Sequence, residues 1–239
     1  MTTTHTKITI CFDNRPNKLG FPTLWGFSCY IRTDWHTILF DTGSNGRVLL
    51  KNMQGLQLDI DEIETLFLSH PHWDHIGGLD SILEKNPQVD IYLPNSFSRH
   101  LIRDLKSMAK EVTVVEKEPL KILPYAYSTG TMGEVGEQAL IIDTPKGIIV
   151  ITGCAHPGIE HIAKRAIEIM QKPILLLMGG FHLMYANTNQ VRSVITQLDA
   201  LEIQNVCPTH CSGDEAIAMF AKHFGERYIA GGTGQTIEI

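Results

Sequence analysis

Positive charge is scarce in this chain. Lys and Arg together number 20 against 26 Asp and Glu, giving a formal net charge of -6. No segment carries a basic stripe, so the electrostatic footprint of a nucleic-acid binder is missing and no nucleic-acid partner is expected. Long apolar runs are missing too. None approaches the roughly 20 residues that a bilayer requires, so no membrane span is expected. The start, Met1-Thr2-Thr3-Thr4-His5, lacks a basic region followed by an apolar one, and no secretory leader is indicated. Cysteine is sparse and odd in number: 5 residues, Cys11, Cys29, Cys154, Cys207 and Cys211. They show no disulfide framework, and reduced thiols in a cytoplasmic protein are the simpler expectation. Low-complexity stretches and linker-like composition breaks are absent. Residues 1–239 are therefore expected to form a single domain. Nothing in the pattern fixes an oligomeric state.

Against this ordinary background one cluster stands out. His70-Pro71-His72-Trp73-Asp74-His75 directly follows the apolar run Thr65-Leu66-Phe67-Leu68-Ser69. A strand delivers the chain to a sheet's end, and a turn folds several ligands back around one point. His70 and His72 lie two apart, so in an extended segment they share a face and reach one cation. Asp74 and His75 follow as the chain turns, within reach of a second. Imidazole and carboxylate donors without thiolate suit zinc first and tolerate iron or manganese. The bland alternative is a chance His-rich surface turn, and the preceding buried strand argues against it.

Hydrophobic periodicity gives a coarse outline. Residues 7–13, 28–33 and 37–41 read as strands, separated by a Pro-, Gly- and Asn-rich loop over 14–27. Helix follows over 44–56, strand over 65–69, helix over 76–85, strand over 89–93, helix over 96–108 and strand over 111–116. The second half repeats the plan. A hairpin spans 139–143 and 147–152, and helices span 159–170, 190–201 and 214–224. Strands span 174–178 and 205–208, with strand character over 228–239. Hairpins followed by strand–helix units predict an α/β fold in which two mixed sheets pack face to face between helices, a four-layer αββα sandwich.

Three more histidines sit at strand ends beside small residues: Gly153-Cys154-Ala155-His156-Pro157-Gly158, Gly179-Gly180-Phe181-His182 and His210-Cys211-Ser212-Gly213. One such histidine is more often structural. Three on matching loops, beside the first cluster, reverse that reading. Phe40-Asp41-Thr42-Gly43 places a carboxylate at another strand end, as a helix cap or as a partner that orients a ligand histidine from behind.

The motif His70-Pro71-His72-Trp73-Asp74-His75 resembles the H-x-H-x-D-H signature of the metallo-β-lactamase superfamily. Phe40-Asp41-Thr42-Gly43 resembles its first motif, and the turn at His156 its third. The stretches at His156, His182 and His210, with Trp25-Gly26-Phe27-Ser28 and Glu137-Gln138-Ala139-Leu140, resemble a subgroup. Its members are 7,8-dihydropterin-6-methyl-4-(β-D-ribofuranosyl)aminobenzene-5′-phosphate synthase-like proteins. The resemblance implies two divalent metal ions, zinc first. His70, His72 and His156 would hold one, and Asp74, His75 and His210 the other. Many superfamily hydrolases carry a metal-bridging Asp at the fourth motif. This chain has Gly179-Gly180-Phe181-His182 there, so His182 is a metal ligand or faces substrate, and an Asp at Gly180 or His182 should tighten the metal pair.

The resemblance implies a metal-dependent hydrolase, or a related transferase, that uses a metal-activated hydroxide on a small phosphorylated or ester-type substrate, pterin- or ribose-phosphate-related in the subgroup. Asp74 is then ligand and proton acceptor, and His182 an acid or electrophile. Cys154 and Cys211 read as packing rather than as ligands. Arg15, Lys18 and Trp25 on the long loop are candidate substrate contacts, with a solvated loop as the plain alternative. Tyr125, Tyr127 and Thr131 are a second candidate wall. Two other classes stay open: a redox di-iron protein on the same fold, and a non-catalytic metal or ligand sensor.

Overall fold

A computed structural model of the protein describes residue 3 and residues 5–239. Of the N-terminal stretch read above, residues 1, 2 and 4 lie outside the described residues. In chain order the elements begin with β1 (Thr6–Asp13), β2 (Phe27–Thr33), β3 (Thr37–Phe40), α1 (Gly46–Gly55) and β4 (Thr65–Phe67). Next come α2 (Trp73–Ile76), α3 (Leu79–Lys85), β5 (Asp90–Pro94), α4 (Arg99–Met108) and β6 (Glu111–Val115). Then follow β7 (Leu120–Leu123), β8 (Ala126–Ser128), β9 (Leu140–Thr144), β10 (Gly147–Thr152) and α5 (Ile159–Met170). The chain closes with β11 (Ile174–Gly180), α6 (Thr188–Asp199), β12 (Asn205–Thr209), α7 (Asp214–Phe224) and β13 (Thr236–Glu238).

The strands form two sheets, ordered β13-β1-β2-β3-β4-β5-β6 and β12-β11-β10-β9-β8-β7. Alternation explains why they stack. Ile149 and Ile151 of β10 point to a core shared with Ile8, Ile10, Ile38 and Phe40 of the other sheet. Ile148 and Val150 point the opposite way, onto Ile159, Ile162 and Ala166 of α5 and Ile195 of α6. In β3 the outward residue is Leu39, packed with Leu49 and Met53 of α1 and Ile82 of α3. A strand buried on both faces must be apolar throughout, which is why these runs carry so few polar residues. The expected αββα sandwich is thus the observed fold.

Differences are local. The helix expected over 76–85 begins only at Leu79, as α3, and the short α2 ends at Ile76 before it. Gly77 and Gly78 cause the break: a Cβ at Gly77 would lie 2.4 Å from the Ser44 carbonyl oxygen, so the chain passes too close to the first helix to continue regularly. β7 and β8 escape the periodicity argument because they are short, and a bulge between Lys121 and Leu123 breaks their alternation. Only Thr236–Glu238 of the C-terminal stretch is strand. Among the described residues no helix is long and apolar enough to cross a membrane. The cysteines are all free and buried.

Candidate metal centre

Strand direction assembles the site. β3 runs parallel to β4, and β10, β11 and β12 run parallel to one another. Their carboxyl ends share one edge of the sandwich, where α/β sheets usually bind ligands. Asp41 follows β3, the His70–His75 segment follows β4, His156 follows β10, His182 follows β11 and His210 follows β12. The backbone at this edge is strained. Asp41, Ala155, His182 and His210 have φ of 51°, 60°, 52° and 52°, a region non-glycine residues avoid. Such strain persists where surrounding contacts over-determine it, as at functional sites.

The candidate ligands of the first cation converge. His70 Nε2 lies 3.1 Å from His72 Nδ1. The His156 ring centre is 4.8 Å from those of both His70 and His72. The second group sits beside it, with Asp74 Oδ2 3.4 Å from His210 Nε2 and 3.6 Å from His75 Nε2. Behind the rings a consistent pattern appears. Nδ1 of His70 faces Ser69 Oγ at 2.9 Å, and Nδ1 of His75 faces Asp41 Oδ2 at 2.7 Å. Nδ1 of His156 faces Glu137 Oε2 at 2.8 Å, and Nδ1 of His210 faces Asn14 Oδ1 at 2.9 Å. Each ring is held by one nitrogen and presents Nε2 inward, the arrangement that orients metal-ligating histidines. His210 Nε2 is buried with no hydrogen-bond partner. A cation beside Asp74 would satisfy it, so the donor set fits divalent metal.

The sequence matches the family model of the Metallo-beta-lactamase superfamily over residues 26–162. The chain belongs to this superfamily. It is 28% identical over 240 residues to a 7,8-dihydropterin-6-methyl-4-(beta-D-ribofuranosyl)-aminobenzene-5'-phosphate synthase of Methanocaldococcus jannaschii, covering 80% of each chain. It is also 26% identical to an uncharacterized protein of that organism, over 97% of this chain and 100% of the other. Among solved structures it is similar to Tm1679, described as a metal-dependent hydrolase of the beta-lactamase superfamily. The TM-score is 0.81 at 24% identity, over 98% of this chain and 99% of that one. Superfamily members usually bind divalent metals, and the groups able to hold one here include Asp74, His75 and His210, and His70 with His156.

In this metallo-beta-lactamase relative Asp41 and His75 form a buried pair, with His75 Nδ1 2.7 Å from Asp41 Oδ2. Burial pushes the Asp41 carboxyl up and holds His75 down to about 3. Three donors fix that carboxylate: Ser69 N at 2.7 Å, Ser69 Oγ at 2.6 Å and His75 Nδ1. It is not a helix cap, because Asn45 caps α1 through Val48 N. Linkage gives a pH expectation for metal-free protein. The unfolded chain binds a proton on His75 near 6.5 and the folded one near 3, so stability from this group falls as pH drops through that window. The stability difference between the parent and His75→Gln should shrink by on the order of 1 kcal/mol per pH unit between pH 6 and 4. Urea unfolding at those pH values measures it, and a constant difference would contradict the assignment.

Other expected site residues are placed unevenly. His182 is exposed, with its ring centre 4.5 Å from that of His156. Trp25 packs on the site, its ring centre 5.1 Å from that of His210. Gly26 makes that approach possible: its φ is 139°, and a Cβ there would strike the Asp74 carbonyl oxygen at 2.4 Å. Arg15 pairs with Asp214 in a cleft of about 400 Å³ that His210 also lines. Lys18 is a correction. It lines a different cleft with Lys7, Tyr30 and Arg32 and sits 5.7 Å over the Phe21 ring, with Gly234 so near that a Cβ there would lie 2.5 Å from Lys18 Cβ. Tyr125 is likewise no wall, being buried with its hydroxyl on Thr33 Oγ1 at 2.7 Å. Tyr127 packs under Lys121. Glu137 is an addition, and Cys154, expected as packing, is buried beside the candidate ligands. Glu137 is buried and holds the His156 turn through Cys154 N, Ala155 N and His156 N at 2.9, 2.9 and 2.8 Å. Cys154 Sγ lies 3.2 Å from His75 Nε2. Asp at Gly180 is blocked, since even a Cβ would meet Gly153 O at 2.5 Å and Cys211 Sγ at 2.6 Å.

Proposed function

We propose that this chain is a metal-dependent hydrolase, or a related transferase, acting on a small phosphorylated or ester-type substrate. The observation that carries the proposal is the convergence of His70, His72, His156, Asp74, His75 and His210 at one sheet edge, with the Nε2 atoms of His70, His75, His156 and His210 freed by partners behind the rings. Two divalent ions, zinc first, held there would polarise the attacked group and supply an activated water. The Ser69 and Ser28 hydroxyls are not free to attack. Ser69 Oγ donates to Asp41 Oδ2 at 2.6 Å and Ser28 Oγ to the Asp41 carbonyl at 2.8 Å.

Asp74 stays ionised: burial alone would raise its carboxyl, but His210 and His75 hold it well below the usual range. It suits holding a cation and orienting a water proton. His182 suits the opposite task. Cys211 beside it pushes its imidazole up from the ordinary value, and it stands at the exposed mouth of the site. A protonated imidazole there donates to the leaving group. Trp25 offers a flat face to a planar ring, and Arg15 stands beside His210 to meet an anionic group. The named relative's product, a pterin carrying a ribose phosphate, joins those two features, and pterin- or ribose-phosphate-related compounds head the substrate class.

The test is turnover by zinc-loaded protein on phosphomonoester, phosphodiester and lactone panels. Metal uptake with no turnover on any would leave a sensor as the better reading. His182→Gln should lower kcat by about 10²–10⁴ on alkyl leaving groups and far less on nitrophenyl ones, which need no acid. Equal losses on both would remove the acid role.

The chain is further proposed to act as one unit. The core between the sheets draws Ile8, Phe27 and Phe40 from one half and Ile149, Leu176 and Cys207 from the other. Limited proteolysis should yield no pair of separately stable halves; recovery of two folded fragments would contradict this.

A further inference from the structure

One sulfur belongs to both groups of candidate ligands. Cys154 Sγ lies within 4.8 Å of the donor atoms of Asp74, His75 and His210, and within the same distance of those of His70 and His156. It is the side chain common to both groups. It also belongs with His182 and Cys211 in a third group of that size. Its residue is buried, and its sulfur lies 3.2 Å from His75 Nε2. β11 cannot send an acidic side chain into this space. Gly180 has no room for even a Cβ, because Gly153 O and Cys211 Sγ already stand 2.5 and 2.6 Å from where it would lie.

Charge makes the position consequential. Two divalent cations among His70, His72, His156, Asp74, His75 and His210 would meet one carboxylate. Asp41 and Glu137 are buried nearby, but their oxygens are taken up behind the rings and in the His156 turn. A thiolate is a strong ligand for zinc and for cobalt, and a buried cysteine gives up its proton to solvent when a cation replaces it.

We propose that Cys154 is a metal ligand placed between the two cation positions, its thiolate serving both groups where this chain carries no bridging carboxylate. Cys211 supports it from behind. Its thiol reaches the Cys154 carbonyl at 3.6 Å, and its bulk closes the space beside Gly180. This assignment rests on the metal-centre reading above and adds a soft anionic donor to it. Cys154 follows Gly153 and precedes Ala155, whose φ of 60° bends the chain so that residues 154 and 156 turn toward the same centre. Glu137 fixes that bend through the amides of residues 154–156.

Cobalt(II) substitution of the intact protein tests this without reference to activity. Metal-free protein is titrated with cobalt(II), and the near-ultraviolet thiolate-to-cobalt charge-transfer band is followed beside elemental analysis. The parent and Cys211→Ser should show the band, and Cys154→Ser should lose it. Cys154→Ser should also bind the second equivalent about tenfold or more weakly. Circular dichroism of each metal-free variant checks the fold. Two bound cobalt ions with no charge-transfer band would overturn the assignment while leaving the metal centre standing. A band that survives Cys154→Ser and vanishes in Cys211→Ser would overturn it in favour of the other thiol. A protein that takes up no cobalt would overturn the metal centre and this ligand together.

Discussion

Glu137→Ala is expected to cost about 3–5 kcal/mol of stability, the range for removing one partner from a buried, charged hydrogen-bond network. The carboxylate accepts from Thr152 Oγ1 at 3.1 Å, from the amides of Cys154, Ala155 and His156, and from His156 Nδ1 at 2.8 Å. Alanine would leave buried N–H groups with no acceptor, and an unmet buried donor carries its full desolvation cost. Burial alone would raise this carboxyl, but His156, His70 and the backbone amide hold it well below its ordinary 4.5. Its folded value is therefore depressed, so its stabilisation is present above about pH 4.5 and is lost as pH falls toward the folded value. Glu137→Gln should lie between parent and alanine, because its amide end turns a donor toward donors. The parent–Glu137→Gln difference should shrink in acid. Urea unfolding of metal-free proteins gives all three values. A Glu137→Ala loss below about 1 kcal/mol would show that the His156 turn does not depend on this carboxylate.

Glu137 marks where sequence reasoning stops. The stretch Glu137-Gln138-Ala139-Leu140 resembles the subgroup, yet nothing in the spacing ties residue 137 to residue 156. The link is made across the sheet, where β9 and β10 pair antiparallel and bring the residue before one strand beside the turn after the other. Cys154 escaped for a related reason. A cysteine next to a ligand histidine is usually packing, and only the convergence of β4, β10 and β12 shows its sulfur among donors of both groups. Contiguous features fared better. The His70–His75 cluster is brought together by one turn, and the strand-end histidines follow from apolar runs whose direction the fold then aligns. Loop residues were least legible. Arg15, Lys18 and Trp25 share one loop in sequence, but Trp25 packs on His210 while Lys18 lines a different cleft. Loop direction depends on contacts made in the fold, and composition carries no such information.

His72→Ala should separate metal binding from folding more cleanly than any other change at the site. His72 is exposed, and among the described residues its ring hydrogen-bonds only to His70, itself a candidate ligand, while its carbonyl, which accepts from His75 N at 3.0 Å, is kept by alanine. Removing the ring therefore exposes no buried group, and metal-free stability should change by no more than about 0.5 kcal/mol, the scale of ordinary surface substitutions. Its contribution comes when a cation is bound. With His72 gone, one cation loses a donor out of three or four, and one equivalent of metal should be lost on dialysis. Turnover on the best panel substrate should fall by about 10²–10⁴, equivalent to the several kcal/mol a catalytic metal supplies. His75→Ala is the contrasting case. His75 is fully buried, and its loss strips Asp41 of a 2.7 Å partner, so this change should cost stability even without metal, by about 3 kcal/mol. Elemental analysis and urea unfolding of the two variants, each with and without zinc, make the comparison. If His72→Ala keeps its full metal content, that ring is a bystander at the mouth of the site. If instead it unfolds as readily as His75→Ala, the exposed histidine holds the turn rather than a cation.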